Sequence, residues 1–243
     1  MLKKILLIAI PVLLILGVLG FVIWGSTPLP ASAEAIQALQ SSPAVRVETV
    51  QGWTVFRPSA ATQTGLVYYP GGRVDYRAYA PLLKQIAAQG YLVVLTPMPL
   101  NLAVFGIETA QSVVNTFPEI KHWAVGGHSL GGSMAAQFVI NHPGAMAGLM
   151  FWASYPAASM VESAVQVVSI SASNDGLATP AKIEDSRKLL PGTARFVVIA
   201  GGVHAQFGSY GVQPGDGSPS IAPAAQWEQT VKASVELLKS ISQ

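Results

Sequence analysis

Short apolar runs alternate with longer amphipathic stretches along most of the chain. The apolar runs show little polar alternation, which predicts strands buried on both faces, as in a mostly parallel sheet covered by helices on both faces. Strands are predicted at 65–70, 91–95, 122–126, 147–153, 165–171 and 195–200, after a hairpin formed by 45–50 and 53–56. Helices are predicted at 76–89, 103–117, 130–141, 179–190 and 223–240. The pattern therefore indicates an α/β fold.

The N-terminal segment follows a different pattern. A pair of lysines precedes an uncharged apolar run from Ile5 to Trp24, which has about the length of a bilayer-spanning helix. No positive charge follows until Arg46, so the positive-inside rule predicts a single-pass membrane anchor with the main domain on the extracytoplasmic side. The small-x-small motif at 31–33 keeps a cleaved signal peptide, and hence secretion, as the alternative. We therefore divide the chain into an anchor with a short tether, 1–34, and the main domain, 35–243.

The most informative motif lies between the predicted strand 122–126 and the predicted helix 130–141, where residues 127–131 read Gly-His-Ser-Leu-Gly. A serine at such a strand-to-helix turn has a strained backbone that exposes its hydroxyl at the top of a sheet. The N-terminus of the following helix faces that hydroxyl, so the amide of Leu130 is expected where an acyl oxyanion forms. Ser129 is the predicted nucleophile.

A serine nucleophile needs a base and an acid, and in folds of this kind they follow it in the order Ser, Asp or Glu, His. Of the two histidines downstream of Ser129, His142 ends the helix that leads away from the site, whereas His204 follows a strand. Asp175 lies in a turn one strand–helix unit before His204, and Asp216 comes after it, in the wrong order. The predicted catalytic triad is Ser129, Asp175 and His204.

A second oxyanion donor is expected in the loop after the strand 65–70. Gly71 and Gly72 allow the backbone there to approach a substrate closely. The amide of Gly72 is the favoured donor, and the amide of Arg73 is the alternative.

The spacing of the later strands indicates an open site. Between the strands 147–153 and 165–171 there is room for one short helix only, so no lid domain is inserted there. Three aromatic residues, Trp152, Tyr155 and Phe207, are weak candidates for lining an acyl pocket.

Composition narrows the classes of partner. A net charge of +2 from scattered lysines and arginines argues against nucleic-acid binding. Without cysteine there is no disulfide and no thiolate metal site, and the four histidines form no metal-binding cluster in the sequence. Ser-His-Asp chemistry needs no cofactor, so none is expected, and the expected ligand is a small acyl substrate. The pattern carries no signal of an oligomeric state.

The chain resembles the α/β-hydrolases, and in particular the small, lidless, dienelactone-hydrolase-like group called the alpha/beta hydrolase fold-5 family. The resemblance runs from about residue 45 to the C-terminus and implies Ser129 as nucleophile, Asp175 as acid and His204 as base. One departure is Pro70, because many esterases carry histidine at this point of the oxyanion loop. The matching segments are 69–75, 78–80, 127–132, 174–176, 204–208 and 210–217.

The predicted function is that of a membrane-anchored serine hydrolase which cleaves carboxylic esters or related acyl substrates through an acyl-enzyme. Two alternatives stay open. One is a non-catalytic, membrane-anchored binding protein of the same fold, and the other is an acyltransferase in which an alcohol or amine replaces water.

Overall fold

One eight-stranded sheet forms the centre of the protein. The computed structural model describes residues 2–243, with side chains from residue 10 onward. The strand order is β1-β2-β4-β3-β5-β6-β7-β8, with β1 and β2 antiparallel and the six strands from β4 to β8 parallel. The strands are β1 (Val45–Val50), β2 (Trp53–Pro58), β3 (Thr64–Tyr69), β4 (Leu92–Leu95), β5 (His122–His128), β6 (Gly148–Trp152), β7 (Gln166–Ala172) and β8 (Arg195–Ile199). A mostly parallel sheet is thus what the uninterrupted apolar runs predict.

Helices cover both faces of this sheet. Residues of α3 and α7 pack on one face and residues of α4 and α5 on the other. Every residue of β3, β4 and β6 is buried, which explains why these strands are apolar without alternation. The helices are α1 (Leu2–Ser26), α2 (Ala33–Ala38), α3 (Ala80–Ala88), α4 (Thr109–Thr116), α5 (Leu130–Asn141), α6 (Pro180–Ser186) and α7 (Pro223–Ile241).

Helix α1 spans the segment where the sequence predicts a transmembrane helix. Within the described residues, however, no helix is both long enough and apolar enough to cross a membrane. The prediction of an N-terminal transmembrane helix is therefore wrong.

The short segment after α1, predicted as a tether, is hydrogen-bonded to the rest of the chain. The amide of Leu29 donates to the carbonyl of Arg73 (2.7 Å), and the amide of Asp75 donates to the carbonyl of Leu29 (2.9 Å). Ser32 N–H donates to the carbonyl of Ser209 (2.8 Å), and the two serine hydroxyls are 2.7 Å apart. Residues 29–32 therefore run alongside the loop that follows β3.

Topology brings the loops that carry the predicted site residues together. β3 lies beside β5, so the glycine loop after Tyr69 adjoins the turn at Ser129. β7 lies beside β8, so the turn that holds Asp175 adjoins the loop that holds His204. All four loops lie at the carboxyl ends of parallel strands, the edge where open α/β sheets bind ligands.

Candidate active site

Ser129 occupies a strained turn between β5 and α5. Its φ of 51° and ψ of −122° lie in a region that residues with a side chain rarely adopt, at a cost of about 1–3 kcal/mol. The turn is held by Ser129 N–H, which donates to the carbonyl of Trp152 (3.0 Å), and by Ser154 Oγ, which donates to the carbonyl of Ser129 (2.5 Å). A Cβ at Gly131 would lie 2.3 Å from the carbonyl oxygen of Tyr69, so only glycine fits at the second residue of α5.

Asp175 and His204 form a buried pair. His204 Nδ1 lies 2.8 Å from Asp175 Oδ2, and the two side chains are 1% and 0% exposed. The other carboxylate oxygen accepts the amides of Leu177 and Ala178, each at 2.7 Å. Because the carboxylate accepts, Nδ1 carries the proton and Nε2 keeps its lone pair. Nε2 is buried and has no hydrogen-bond partner among the described residues, so it is free to act as a base.

Ser129 and His204 line the same cavity, which has a volume of about 280 Å³. Leu130 lines it as well, so the predicted nucleophile, base and one oxyanion donor share one space. Of the three aromatic candidates, Tyr155 lines this cavity. The structure does not bring Trp152 and Phe207 to it, because both are fully buried in the core.

Hydrogen bonds in the loop after β3 distinguish between the candidate oxyanion donors. The amide of Gly71 donates to the Tyr79 hydroxyl (2.9 Å), and the amide of Arg73 donates to the carbonyl of Asn101 (2.8 Å). The amide of Gly72, between them, has no acceptor in the part of the chain that the structure describes. A Cβ on Gly72 would lie 3.1 Å from Leu130 Cδ2, so Gly72 lies against the start of α5.

The amide of Leu130 is also without an acceptor in residues 2–243, as is usual for the first residue of a helix. Two free amides thus lie close to each other beside Ser129. Amides arranged in this way can bind the negative oxygen that develops when a carbonyl is attacked.

A sequence model described as "Alpha/beta hydrolase family" matches residues 65–228, from β3 into α7. The chain belongs to this alpha/beta hydrolase family. Membership supports hydrolase activity, while no curated protein matches the sequence significantly.

Two solved structures show the same fold as this alpha/beta hydrolase. One is a predicted CIB-like hydrolase from Thermoplasma acidophilum, with 14% identity, a TM-score of 0.59 and coverage of 81% of this chain and 99% of that one. The other is TT1662 from Thermus thermophilus, with 15% identity, a TM-score of 0.60 and coverage of 82% and 98%. At such identities the likeness establishes the fold alone.

Asp216, which the residue order of the hydrolase excludes as the acid, has a different place in the site. Its Oδ1 accepts the amides of Gly176 (3.1 Å), His204 (3.2 Å) and Gly217 (2.7 Å), and its Oδ2 accepts the amide of Ala205 (2.8 Å). The Asp216 carboxylate therefore ties the turn that holds Asp175 to the loop that holds His204. Sequence reasoning missed this role, although an Asp-Gly pair in a loop rich in glycine and proline just after the base is a usable signal.

Two side chains of helix α7 also hold the loop that carries His204. The buried Gln226 accepts the amide of Val203 (2.9 Å) and donates to its carbonyl (2.8 Å), immediately before His204. Trp227 Nε1 donates to the carbonyl of Gln206 (2.9 Å), just after it. The base is thus fixed on both sides along the chain.

His128 links the base to the oxyanion loop. The Gly71 amide donates to Tyr79 Oη, and this hydroxyl is hydrogen-bonded to His128 Nδ1 at 2.8 Å. The His128 ring is buried with its centroid 4.3 Å from that of His204. Burial, together with the ring of His204, lowers the pKa of His128 well below its usual value. His128 is therefore neutral beside the base.

This neutral histidine predicts a loss of stability in acid. In the unfolded chain His128 binds a proton below pH 6.5, whereas the folded protein resists binding it. The free energy of unfolding therefore falls as the pH drops below about 6.5, by up to about 1.4 kcal/mol per pH unit from this residue. The free energy of unfolding, measured with urea, should fall less between pH 7 and pH 5 in His128→Gln than in the wild type. His122→Gln, which removes a partly exposed histidine, is the control and should keep the wild-type dependence on pH. The same dependence in His128→Gln would contradict the prediction.

The side chains of the hydrolase were also compared with the ligand sets that hold metal ions. No cluster of three or more His, Cys, Asp or Glu side chains is placed to hold a metal ion within residues 2–243.

Proposed function

We propose that the protein is a serine hydrolase that cleaves carboxylic esters or related acyl substrates through an acyl-enzyme. The observation that carries the proposal is the cavity of about 280 Å³ shared by Ser129 and His204, with Asp175 held 2.8 Å from the far nitrogen of the His204 ring. This arrangement supports the roles of nucleophile for Ser129, base for His204 and acid for Asp175 in acyl transfer.

The proposed mechanism assigns a role to each of these groups. Ser129 Oγ attacks the acyl carbon as His204 Nε2 takes its proton, and the resulting imidazolium is stabilised by the Asp175 carboxylate. The amides of Leu130 and Gly72 bind the oxyanion. His204 then gives its proton to the leaving alcohol, which departs as the acyl-enzyme forms. Water repeats the sequence, with His204 as base, and releases the acid and the free serine.

The proposal is tested by covalent labelling. A fluorophosphonate probe should react with the purified full-length protein, and peptide mass spectrometry should locate the adduct on Ser129. Protein denatured before the probe is added serves as the control and should stay unlabelled. A folded protein that does not react would favour a non-catalytic binding protein, and release of an amide or a new ester in the presence of amines or alcohols would favour an acyltransferase.

The size of the cavity predicts a preference for short acyl chains. The chain between β6 and β7, residues 153–165, forms no helix or strand, so nothing there encloses a long acyl tunnel. We expect kcat/KM for p-nitrophenyl acetate or butyrate to exceed that for the laurate by about 10-fold or more. Rates should rise smoothly with substrate concentration across the solubility limit. Activity confined to long-chain esters above that limit would contradict this prediction.

A further inference from the structure

The end of α1 lies against the loop that carries the proposed oxyanion donor Gly72. Arg73, the next residue, donates from Nε to the carbonyl of Trp24 (2.9 Å) and from a terminal nitrogen to the carbonyl of Thr27 (2.8 Å). Its guanidinium also stacks on the Trp24 ring, 4.5 Å from the centroid. Carbonyls at the end of a helix have no partner within the helix, and a cation is favoured there. Arg73 therefore caps α1.

The backbone of Arg73 is strained. Its φ of 55° lies in the left-handed region, where a residue with a side chain needs support from its surroundings. The support comes from two backbone bonds, to the amide of Leu29 (2.7 Å) and to the carbonyl of Asn101 (2.8 Å). These bonds fix the two peptide planes that flank Arg73, and the first of them joins Arg73 to Gly72.

Asn101 depends on the same helix end. It too has a positive φ, 53°, and its side-chain amide donates to the carbonyl of Gly25 (2.9 Å). A Cβ on Gly25 would lie 3.1 Å from Leu100 Cβ and 3.2 Å from its carbonyl oxygen. The last turn of α1 therefore sits directly on the segment that accepts the Arg73 amide.

We propose that the C-terminal turn of α1, residues 24–27, positions the oxyanion hole through Arg73 and Asn101. The inference rests on the proposed function, because it assigns the Gly72 amide to the oxyanion. Arg73 touches no reacting atom and is a positioning residue. Its contacts with α1 hold the turn in which the Gly71 and Arg73 amides are bonded within the protein and the Gly72 amide is left for substrate. Displacement of α1 would then lower turnover without closing the cavity.

The first test compares two arginines near each other on the chain. Arg73→Ala should lower kcat on p-nitrophenyl butyrate by about 10- to 100-fold, with KM within about 3-fold, since the donor is misplaced and not removed. Arg73→Lys should recover part of the loss, because an ammonium still reaches the helix-end carbonyls. The control is Arg77→Ala, which removes a side chain whose only hydrogen bonds within the described residues are to Asp75, and it should keep wild-type kcat.

The second test compares two glycines of α1 and leaves Arg73 in place. Gly25→Val pushes the helix end against Leu100 and should lower kcat in the same manner as Arg73→Ala. Gly20→Val should have no such effect, because nothing lies within 4 Å of a Cβ at Gly20. This pair decides the matter if Arg73→Ala does not fold, as judged by near-UV circular dichroism.

A trifluoromethyl ketone provides a readout that a merely structural role would not change, because it forms a hemiketal oxyanion on serine. Its Ki should rise in Arg73→Ala and Gly25→Val by about the same factor as kcat falls. Wild-type kcat and Ki in both variants, with Ser129→Ala inactive, would overturn this inference alone. Turnover that survives in Ser129→Ala would instead overturn the proposed function.

Discussion

Ester turnover is expected to fall by about 10⁶-fold when Ser129 is replaced by alanine, which is the loss of kcat found when a catalytic serine is removed. His204 would then have no hydroxyl to deprotonate, and only water remains as an attacking group. Stability should change little, since the Ser129 hydroxyl makes no hydrogen bond with any described residue and alanine retains the same strained backbone. Initial rates on p-nitrophenyl butyrate, fluorophosphonate labelling and the thermal midpoint measure these three effects.

Ser133→Ala is the matched control, because this serine lines the same cavity and donates to the carbonyl of Tyr155 (2.7 Å). It should keep most of the activity and react with the probe. Labelling that persists in Ser129→Ala while Ser133→Ala stays unlabelled would show that the wrong serine had been assigned.

Asp175→Asn is expected to lower kcat by about 10⁴-fold. The amides of Leu177 and Ala178 both donate to Oδ1, so they would hold the oxygen of the new side chain at that position. The amide nitrogen then faces His204 Nδ1 and donates to it. This forces the ring proton onto Nε2, the atom that must accept the proton of Ser129. The measurement is kcat as a function of pH, and no pH between 6 and 9 should restore it.

Asp216→Asn carries the same chemical change in the carboxylate that ties the two loops together. In this variant an NH2 group replaces one carboxylate oxygen and faces backbone amides that also donate. We therefore expect a destabilisation of about 1–3 kcal/mol and a smaller loss of kcat, about 10-fold. The thermal midpoint and kcat together separate the two variants. A greater loss of kcat in Asp216→Asn than in Asp175→Asn would reverse the assignment of the acid.

Much of the fold follows from local patterns. The predicted strand 122–126 and helix 130–141 correspond to His122–His128 and Leu130–Asn141, because the glycine-rich elbow marks both boundaries. Strands buried on both faces are short and apolar, so their positions are visible in the sequence without alternation.

Other elements depend on contacts between distant parts of the chain. The predicted helix 103–117 is broken into a 3₁₀ turn, Ala103–Phe105, and α4. Helix α2 was not predicted at all, because six residues cannot sustain a helix without tertiary support. Its support comes from Ser32, which caps it and bonds to Ser209.

The candidate site divides in the same way. The order of residues along the chain predicted Ser129, Asp175 and His204, since parallel strands deliver their following loops to one edge of a sheet. The supporting roles of Arg73, Asp216 and Gln226 escaped prediction because these side chains bind backbone groups, and a backbone group has no signature in a sequence. Only the folded chain reveals which loop each of them holds.

The hydrogen bonds from α7 to the His204 loop affect the order in which the candidate site is assembled. Chains are synthesised from the N-terminus, and their early parts fold first. The elbow with Ser129 is made long before Gln226 and Trp227, which fix the loop on both sides of His204. A growing chain therefore acquires its serine turn while the histidine loop is still unanchored. The loop of the predicted base is anchored only when α7 has folded, so an unfinished or C-terminally truncated chain carries Ser129 without His204 held in place.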